Sequence, residues 1–263
     1  CAGGRAAAIT DCLNFGNPEK PEVFWTFYES VRGLSDACTA FGVPVISGNV
    51  SFYNESFGQP IYPTPTVGLV GLLDDVEDHC TMAFKHSGDE VVLLGRTRAE
   101  LGGSEYLKVV HDMVAGRPPK VDLVEERLLD ELLLTAIGTG LLRSAHDCSE
   151  GGLGVALAEC CLSGGIGATA DAGSTLPGAA ALFSESQGRA IVTVPAGGFS
   201  ALKTLAATHG TACVKLGTVG GASLRIGDLV DVTLDDLRSA YEPTLERLVH
   251  GAETLQTEEL AEG

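Results

Sequence analysis

The chain has 263 residues, room for one large domain or two of ordinary size, and its 44% hydrophobic and 20% charged content describes a globular protein rather than a disordered or fibrous one. Its 35 acidic residues against 17 basic ones give a formal charge of −18 at pH 7, which argues against a nucleic-acid partner, because a phosphate backbone is held by clustered Lys and Arg. No run approaches the roughly 20 apolar residues of a spanning helix and nothing reads as a signal peptide, so no membrane partner and a cytoplasmic location are expected.

The first residues, Cys1-Ala2-Gly3-Gly4-Arg5, run straight into an apolar segment, which reads as a cut inside a larger domain. A short buried strand is predicted over 6–10, ending at Thr10-Asp11. Turn-rich residues 14–18 follow, and Pro21 and Glu22 signal the first turn of a helix. Its apolar positions, Val23, Phe27, Val31, Leu34, Cys38 and Phe41, advance in steps of three and four and so share one face; Gly42 ends it. A strand over 43–46, a tight turn at Ser47-Gly48-Asn49, and a strand over 66–73 apolar enough to be central in a sheet complete this part. The polar break at 79–89 places a domain boundary at about residue 84.

Beyond it the pattern predicts a strand at 91–94, a helix at 125–142 and a Gly-rich helix opening at 149–161. A strand at 190–194, a helix at 199–209 and strands at 212–219 and 222–226 follow. A last helix over 234–249 is expected to kink at Pro243. The expected organisation is residues 1–84, 85–250 and an acidic flexible tail, 251–263, in an α+β class. Eight cysteines without a CxxC pair, several inside apolar runs, read as reduced core thiols rather than a disulfide framework or a zinc site.

Four segments carry polar chemistry. In Thr10–Glu19, Asp11 after a strand sits where α/β sheets place ligands, and it can bind a cation or a ribose; it can equally cap the turn. In Val43–Glu55, Gly48 permits close approach of backbone N–H groups to a phosphate, Asn49 offers a neutral oxygen and Ser51 a hydroxyl; a hairpin-like turn is the plainer alternative. In His146–Leu153, Asp147 or Ser149 reads as a helix N-cap, or as part of an anion or metal-nucleotide site at a helix N-terminus. In Phe183–Arg189, Glu185 and Arg189 form either a polar cluster or a surface pair. No GxxxxGK[ST], HExxH or GxSxG motif is present, so a Walker-type nucleotide site is ruled out.

Together these segments resemble the C-terminal half of the large subunits of the phosphoribosylformylglycinamidine synthase family (PurL type), within the aminoimidazole-ribonucleotide-synthetase-like superfamily. The runs that carry the resemblance are TDCLNFGNPEKPE (10–22), GNVSFYNE (48–55), IYPTP (61–65), AHDCSEGGLGVALAE (145–159) and LFSESQGR (182–189), in that order. The resemblance implies a PurM-like fold, with part of an A domain followed by a complete α/β B domain. It implies an ATP- and Mg²⁺-dependent ligase that converts formylglycinamide ribonucleotide and glutamine-derived ammonia to formylglycinamidine ribonucleotide. The implied partners are an N-terminal half of the same polypeptide, a glutaminase subunit and a small accessory subunit. Position by position, Asp11 and Gly48 match ATP contacts, Asn49 a magnesium ligand and Ser51 a substrate contact. Asp147 and Glu185 correspond only by internal pseudo-symmetry, to an auxiliary nucleotide site. The family's catalytic His belongs to the N-terminal half, so this chain alone is expected to be inactive. Two alternatives stand beside this one: a kinase-type branch of the same superfamily, and a non-catalytic scaffold half holding an auxiliary nucleotide.

Overall fold

The computed structural model describes residues 1–242 together with Thr244 and Val249. Its first sheet is built from β1 (Arg5–Asn14), β2 (Val45–Ser51) and β5 (Thr64–Leu72) in the order β2-β1-β5. A two-residue-stranded hairpin, β3 (Glu55–Ser56) and β4 (Gln59–Pro60), lies between β2 and β5. β1 and β2 run parallel and are joined by helix α1 (Pro21–Phe41), the crossover a parallel pair requires; β5 returns antiparallel to β1. Helix α1 begins at Pro21 and ends at Gly42, whose φ of 65° is the left-handed C-cap expected of it. Its apolar stripe packs Val23, Phe27 and Leu34 around Leu13 and Phe15. The Phe27 ring meets Phe15 edge-on at 5.3 Å and Phe52 at 5.0 Å, a geometry that aromatic quadrupoles favour.

Three expectations fail here for one reason. The first strand does not stop at Thr10-Asp11 but continues to Asn14, and Ser47-Gly48-Asn49 is not a turn but the middle of β2. β1 is the central strand, so the amides and carbonyls of its polar half need ladder partners on both sides, and β2 and β5 supply them in register. Conversely β5, read from its apolar run as central, is an edge of this sheet, and Val67, Leu69, Val70 and Leu72 are exposed.

The second sheet has seven strands in the order β12 (Val230–Thr233), β11 (Ser223–Ile226), β8 (Ala168–Ala170), β10 (Cys213–Val219), β6 (Glu90–Leu94), β9 (Ala190–Val194), β7 (Ser144–Asp147). Every residue of β6 and β9 is buried, so that apart from Glu90 and Thr193 both read as apolar runs rather than alternating patterns. Val91 and Leu93 face a core closed by α4 (Gly152–Gly164), α5 (Gly178–Phe183) and α7 (Leu234–Tyr241). Val92 and Leu94 face the opposite core, closed by α3 (Leu123–Gly138) and α6 (Phe199–Thr208). The helix predicted over 125–142 begins earlier, because Asp122 accepts from the backbone N–H groups of Val124 and Glu125 and so caps it. A short helix, α2 (Glu105–His111), and strands β7, β8 and β12 carried no periodic signal long enough to read. All eight cysteines are free. The expected kink at Pro243 and the tail 251–263 lie outside the described residues. Among the described residues no helix is long and apolar enough to cross a membrane.

Candidate functional site

In a parallel pair, register partners point to the same face, and successive residues alternate. Asp11 is the partner of Gly48, Cys12 of Asn49 and Asn14 of Ser51. The two polar segments singled out in the sequence are therefore side by side, as adjoining strands rather than facing turns. Alternation also divides them. Asp11 lies on the α1 side with Ile9 and Leu13, and lines a groove of about 590 Å³ between the sheet and α1, together with Leu34, Ser35, Cys38 and Thr39. Cys12, Asn14, Asn49 and Ser51 lie on the other face with Thr10 and Ser47, whose hydroxyls are hydrogen-bonded at 2.7 Å.

Gly48 belongs to both halves. A Cβ placed there would meet Asp11 Oδ1 at 2.5 Å, so the missing side chain is what lets the Asp11 carboxylate lean over the edge strand. On the opposite face the carboxamide nitrogens of Asn14 and Asn49 approach Cys12 Sγ at 3.6 and 3.8 Å. Ser51 Oγ lies 3.3 Å from Asn54 Oδ1, while Asn54 Nδ2 donates to the main-chain oxygens of Phe15 and Ser51 and ties the loop after β2 to the end of β1. Asn49 is exposed and Ser51 half-buried.

This donor set suits one side of a magnesium-nucleotide site. Carboxamide and hydroxyl oxygens are hard ligands, but Mg²⁺ is ordinarily held by one or two carboxylates, and the only one here, Asp11, is across the sheet from Asn49. Among the described residues no group of three or more His, Cys, Asp or Glu side chains is placed to hold a metal ion. The residues fit as a partial set that further carboxylates would complete.

The second polar region lies at the β7–α4 corner. Neither Asp147 nor Ser149 caps α4, as the spacing suggested; Gly151, with φ 76°, is the N-cap and uses no side chain. The anion at this helix start is Glu185, from 34 residues away: its Oε1 accepts from Gly151 N at 2.9 Å and from Glu105 N, the start of α2, at 2.8 Å. Nor do Glu185 and Arg189 make a surface pair. Arg189 is 3% exposed and donates to the Ser186 and Ser184 carbonyls, at 2.8 and 2.5 Å, and to Thr97 Oγ1 at 3.1 Å.

Asp147 ends β7 and accepts from the Ser149 hydroxyl, and His146 lies between two carboxylates, 3.5 Å from Asp147 and 2.9 Å from Glu159. The bond to Asp147, and then that to Glu159, raise the His146 pKa against the opposing effect of burial; His146 in turn holds the Asp147 carboxyl far below its usual range. Asp147 lines a polar cavity of about 300 Å³ with Glu126, Asp130, Ser149 and Gln187; Glu185 is not among the lining residues. Only the packing of α4 against β7 brings Glu159 to His146, and no spacing rule anticipates it.

The chain matches the family "AIR synthase related protein, N-terminal domain" over residues 1–73 and "AIR synthase related protein, C-terminal domain" over residues 86–227. It is 48% identical over 251 residues to the phosphoribosylformylglycinamidine synthase subunit PurL of Anaeromyxobacter sp. (strain Fw109-5), an alignment covering 92% of this chain and 33% of that protein. Its fold is also that of two Thermotoga maritima PurL structures. The one complexed with FGAR superposes with a TM-score of 0.71 at 20% identity, over 90% of this chain and 40% of that one. The one complexed with ATP superposes with a TM-score of 0.68 at 19% identity, over 90% and 38%. The chain thus spans about a third of the length of the curated relatives it matches. It belongs to the AIR synthase-related family, as a homologue of the PurL subunits of phosphoribosylformylglycinamidine synthase.

Proposed function

We propose that this chain is the C-terminal part of an ATP-dependent ligase that forms formylglycinamidine ribonucleotide from formylglycinamide ribonucleotide, ATP and ammonia released from glutamine. The observation that carries the reading is the register of Asp11 with Gly48 and of Cys12 with Asn49, at the sheet edge where the family-like runs 10–22 and 48–55 meet. In this reading the nucleotide lies along the edge of β2, with Asp11 above Gly48 on one face and Asn49 and Ser51 on the other. Asp11 and Gly48 bind ATP, Asn49 gives one oxygen to magnesium and Ser51 contacts the ribonucleotide substrate. Bound magnesium supplies neutralisation of phosphate charge. This chain's own residues position and orient, and none of them is a general base for the reaction. The rest of the site comes from an N-terminal half of the same polypeptide, with a glutaminase subunit and a small accessory subunit as partners in the cytoplasm. We assign residues 1–84 to an A domain and 85–250 to a B domain.

The scaffold alternative, with an auxiliary nucleotide, rests on the cavity beside Asp147. Its walls carry Glu126 and Asp130, whose carboxyl pKa values are raised, chiefly by burial. Arg189, the cation in these walls, is engaged by Ser184, Ser186 and Thr97; the neighbouring carboxyls and the internal bonds of Asp147 and Glu185 disfavour a polyphosphate there, and we assign those two residues to structure first.

The test is turnover with formylglycinamide ribonucleotide, Mg-ATP and ammonia. The chain alone is expected to be inactive. In the full-length polypeptide Asn49→Ala should lower turnover by about tenfold or more with folding unchanged. Turnover by the chain alone overturns the sharing of the site with an N-terminal half, and an Asn49→Ala enzyme that loses assembly but not turnover overturns the assignment of the site to this sheet.

A further inference from the structure

We infer that Cys12 is a positioning residue for Asn49 and Asn14: its sulfur takes both carboxamide N–H₂ groups, so that both carboxamide oxygens are presented together on the open sheet face as paired ligands for a hard divalent cation. The inference rests on the reading of Asn49 as a cation ligand and extends it to two residues of β1.

The backbone sets the arrangement. Cys12 and Asn14 are two residues apart on the central strand and so share a face; Asn49 is the register partner of Cys12 on β2. Both amide nitrogens come to one sulfur, Asn14 Nδ2 at 3.6 Å and Asn49 Nδ2 at 3.8 Å. Asn14 Nδ2 also lies 3.4 Å from the Cys12 carbonyl oxygen, which can only accept, and this fixes which arm of that amide turns inward. A thiol has one S–H and can satisfy at most one carboxamide oxygen, so two amides on a single sulfur require at least one N–H donor. In a planar carboxamide the nitrogen and oxygen arms point apart, and pinning the first aims the second. Sulfur suits this role because its long C–S bond and large radius reach two neighbours, and because it is a poor ligand for Mg²⁺ and does not compete for the ion. The neighbouring strand positions on this face carry hydroxyls, Thr10, Ser47, Ser51, Thr64 and Thr66.

The test uses Mn²⁺ as the probe, in the full-length polypeptide with a non-hydrolysable ATP analogue, and follows the loss of the free-ion paramagnetic resonance signal. A circular-dichroism melt of each variant establishes folding. Cys12→Ala, Asn14→Ala and Asn49→Ala should each weaken Mn²⁺ binding by about tenfold, within the range for residues that orient a ligand. Cys12→Ala combined with Asn49→Ala should weaken it far less than the product of the two single effects, because Cys12 acts through Asn49. Cys12→Ala binding Mn²⁺ as tightly as wild type, while Asn49→Ala does not, overturns the inference and leaves the site reading intact. Undiminished binding by Asn49→Ala overturns both. A preference for Cd²⁺ over Mn²⁺ that disappears in Cys12→Ala shows direct sulfur ligation and also overturns the positioning role.

Discussion

Asp11 and Gly48 fit together as carboxylate and vacancy: a Cβ on Gly48 would lie 2.5 Å from Asp11 Oδ1 and 2.9 Å from its Cγ. Gly48 does not need a left-handed backbone, so the requirement is for space alone. Gly48→Ala should therefore displace the Asp11 carboxylate and reduce nucleotide affinity by about tenfold or more, with a fold cost of about 1–3 kcal/mol for the crowding. Removing the carboxylate relieves the clash. A double-mutant cycle of Gly48→Ala with Asp11→Ala, read by urea unfolding, should give a coupling above about 0.5 kcal/mol, whereas additive effects would show that the two do not share the space.

That relationship marks where sequence reasoning succeeds and where it stops. Helix α1 was legible because Val23, Phe27 and Leu34 repeat at helical spacing and Gly42 closes it. β6 and β9 were legible because wholly buried strands leave short, largely apolar runs, here broken only by Glu90 at the start of β6 and Thr193 within β9. The polar half of β1 and the Ser47-Gly48-Asn49 segment were not, because a strand whose one face is open needs no apolar residues there and looks like a turn. Family-like runs pointed to Asp11, Gly48, Asn49 and Ser51 together, but only the register shows that Asp11 and Asn49 take opposite faces. The α4 cap was hidden for a different reason: local spacing offered Asp147 and Ser149, whereas the side chain used is Glu185.

Glu185 bridges two helix starts through one oxygen, so its removal orphans the Gly151 and Glu105 N–H groups at once. Glu185→Ala should cost about 2 kcal/mol, the scale of hydrogen bonds to a charged acceptor. Glu185→Gln keeps an acceptor but loses the charge that favours a helix N-terminus, and should cost about 0.5–1 kcal/mol. Chemical denaturation of the three proteins should rank them in that order; equal stability of wild type and Glu185→Ala would remove the cap from the account.

The His146 network makes stability depend on pH. Its folded pKa is raised, so its contribution is complete below the unfolded value of about 6.5 and is lost as pH rises through the folded value. The Asp147 carboxyl is depressed, so its contribution is present above the unfolded value of about 3.9 and is lost as pH falls through the folded one. The difference in melting temperature between wild type and His146→Gln should thus be larger at pH 5.5 than at pH 8. A difference that does not change between those pH values would mean that the folded pKa of His146 is not raised.

Arg189 holds the loop that carries Glu185. Its three nitrogens reach three acceptors in different directions, two of them the carbonyls of Ser184 and Ser186 on either side of Glu185, and among the described residues no carboxylate forms an ion pair with it. Burial lowers its pKa, but a guanidinium stays charged at any pH the fold survives, so those carbonyls are its charge-bearing environment. A lysine brings a compact ammonium on a flexible stem and cannot span the three positions at once. Arg189→Lys should therefore cost about 2–4 kcal/mol, seen as a lower denaturation midpoint with an unchanged slope. Because the lost bonds release the Glu185 segment, Arg189→Lys combined with Glu185→Ala should cost less than the sum of the two single changes. Strict additivity would place Arg189 in packing alone, with the Glu185 cap held by the backbone of its own loop.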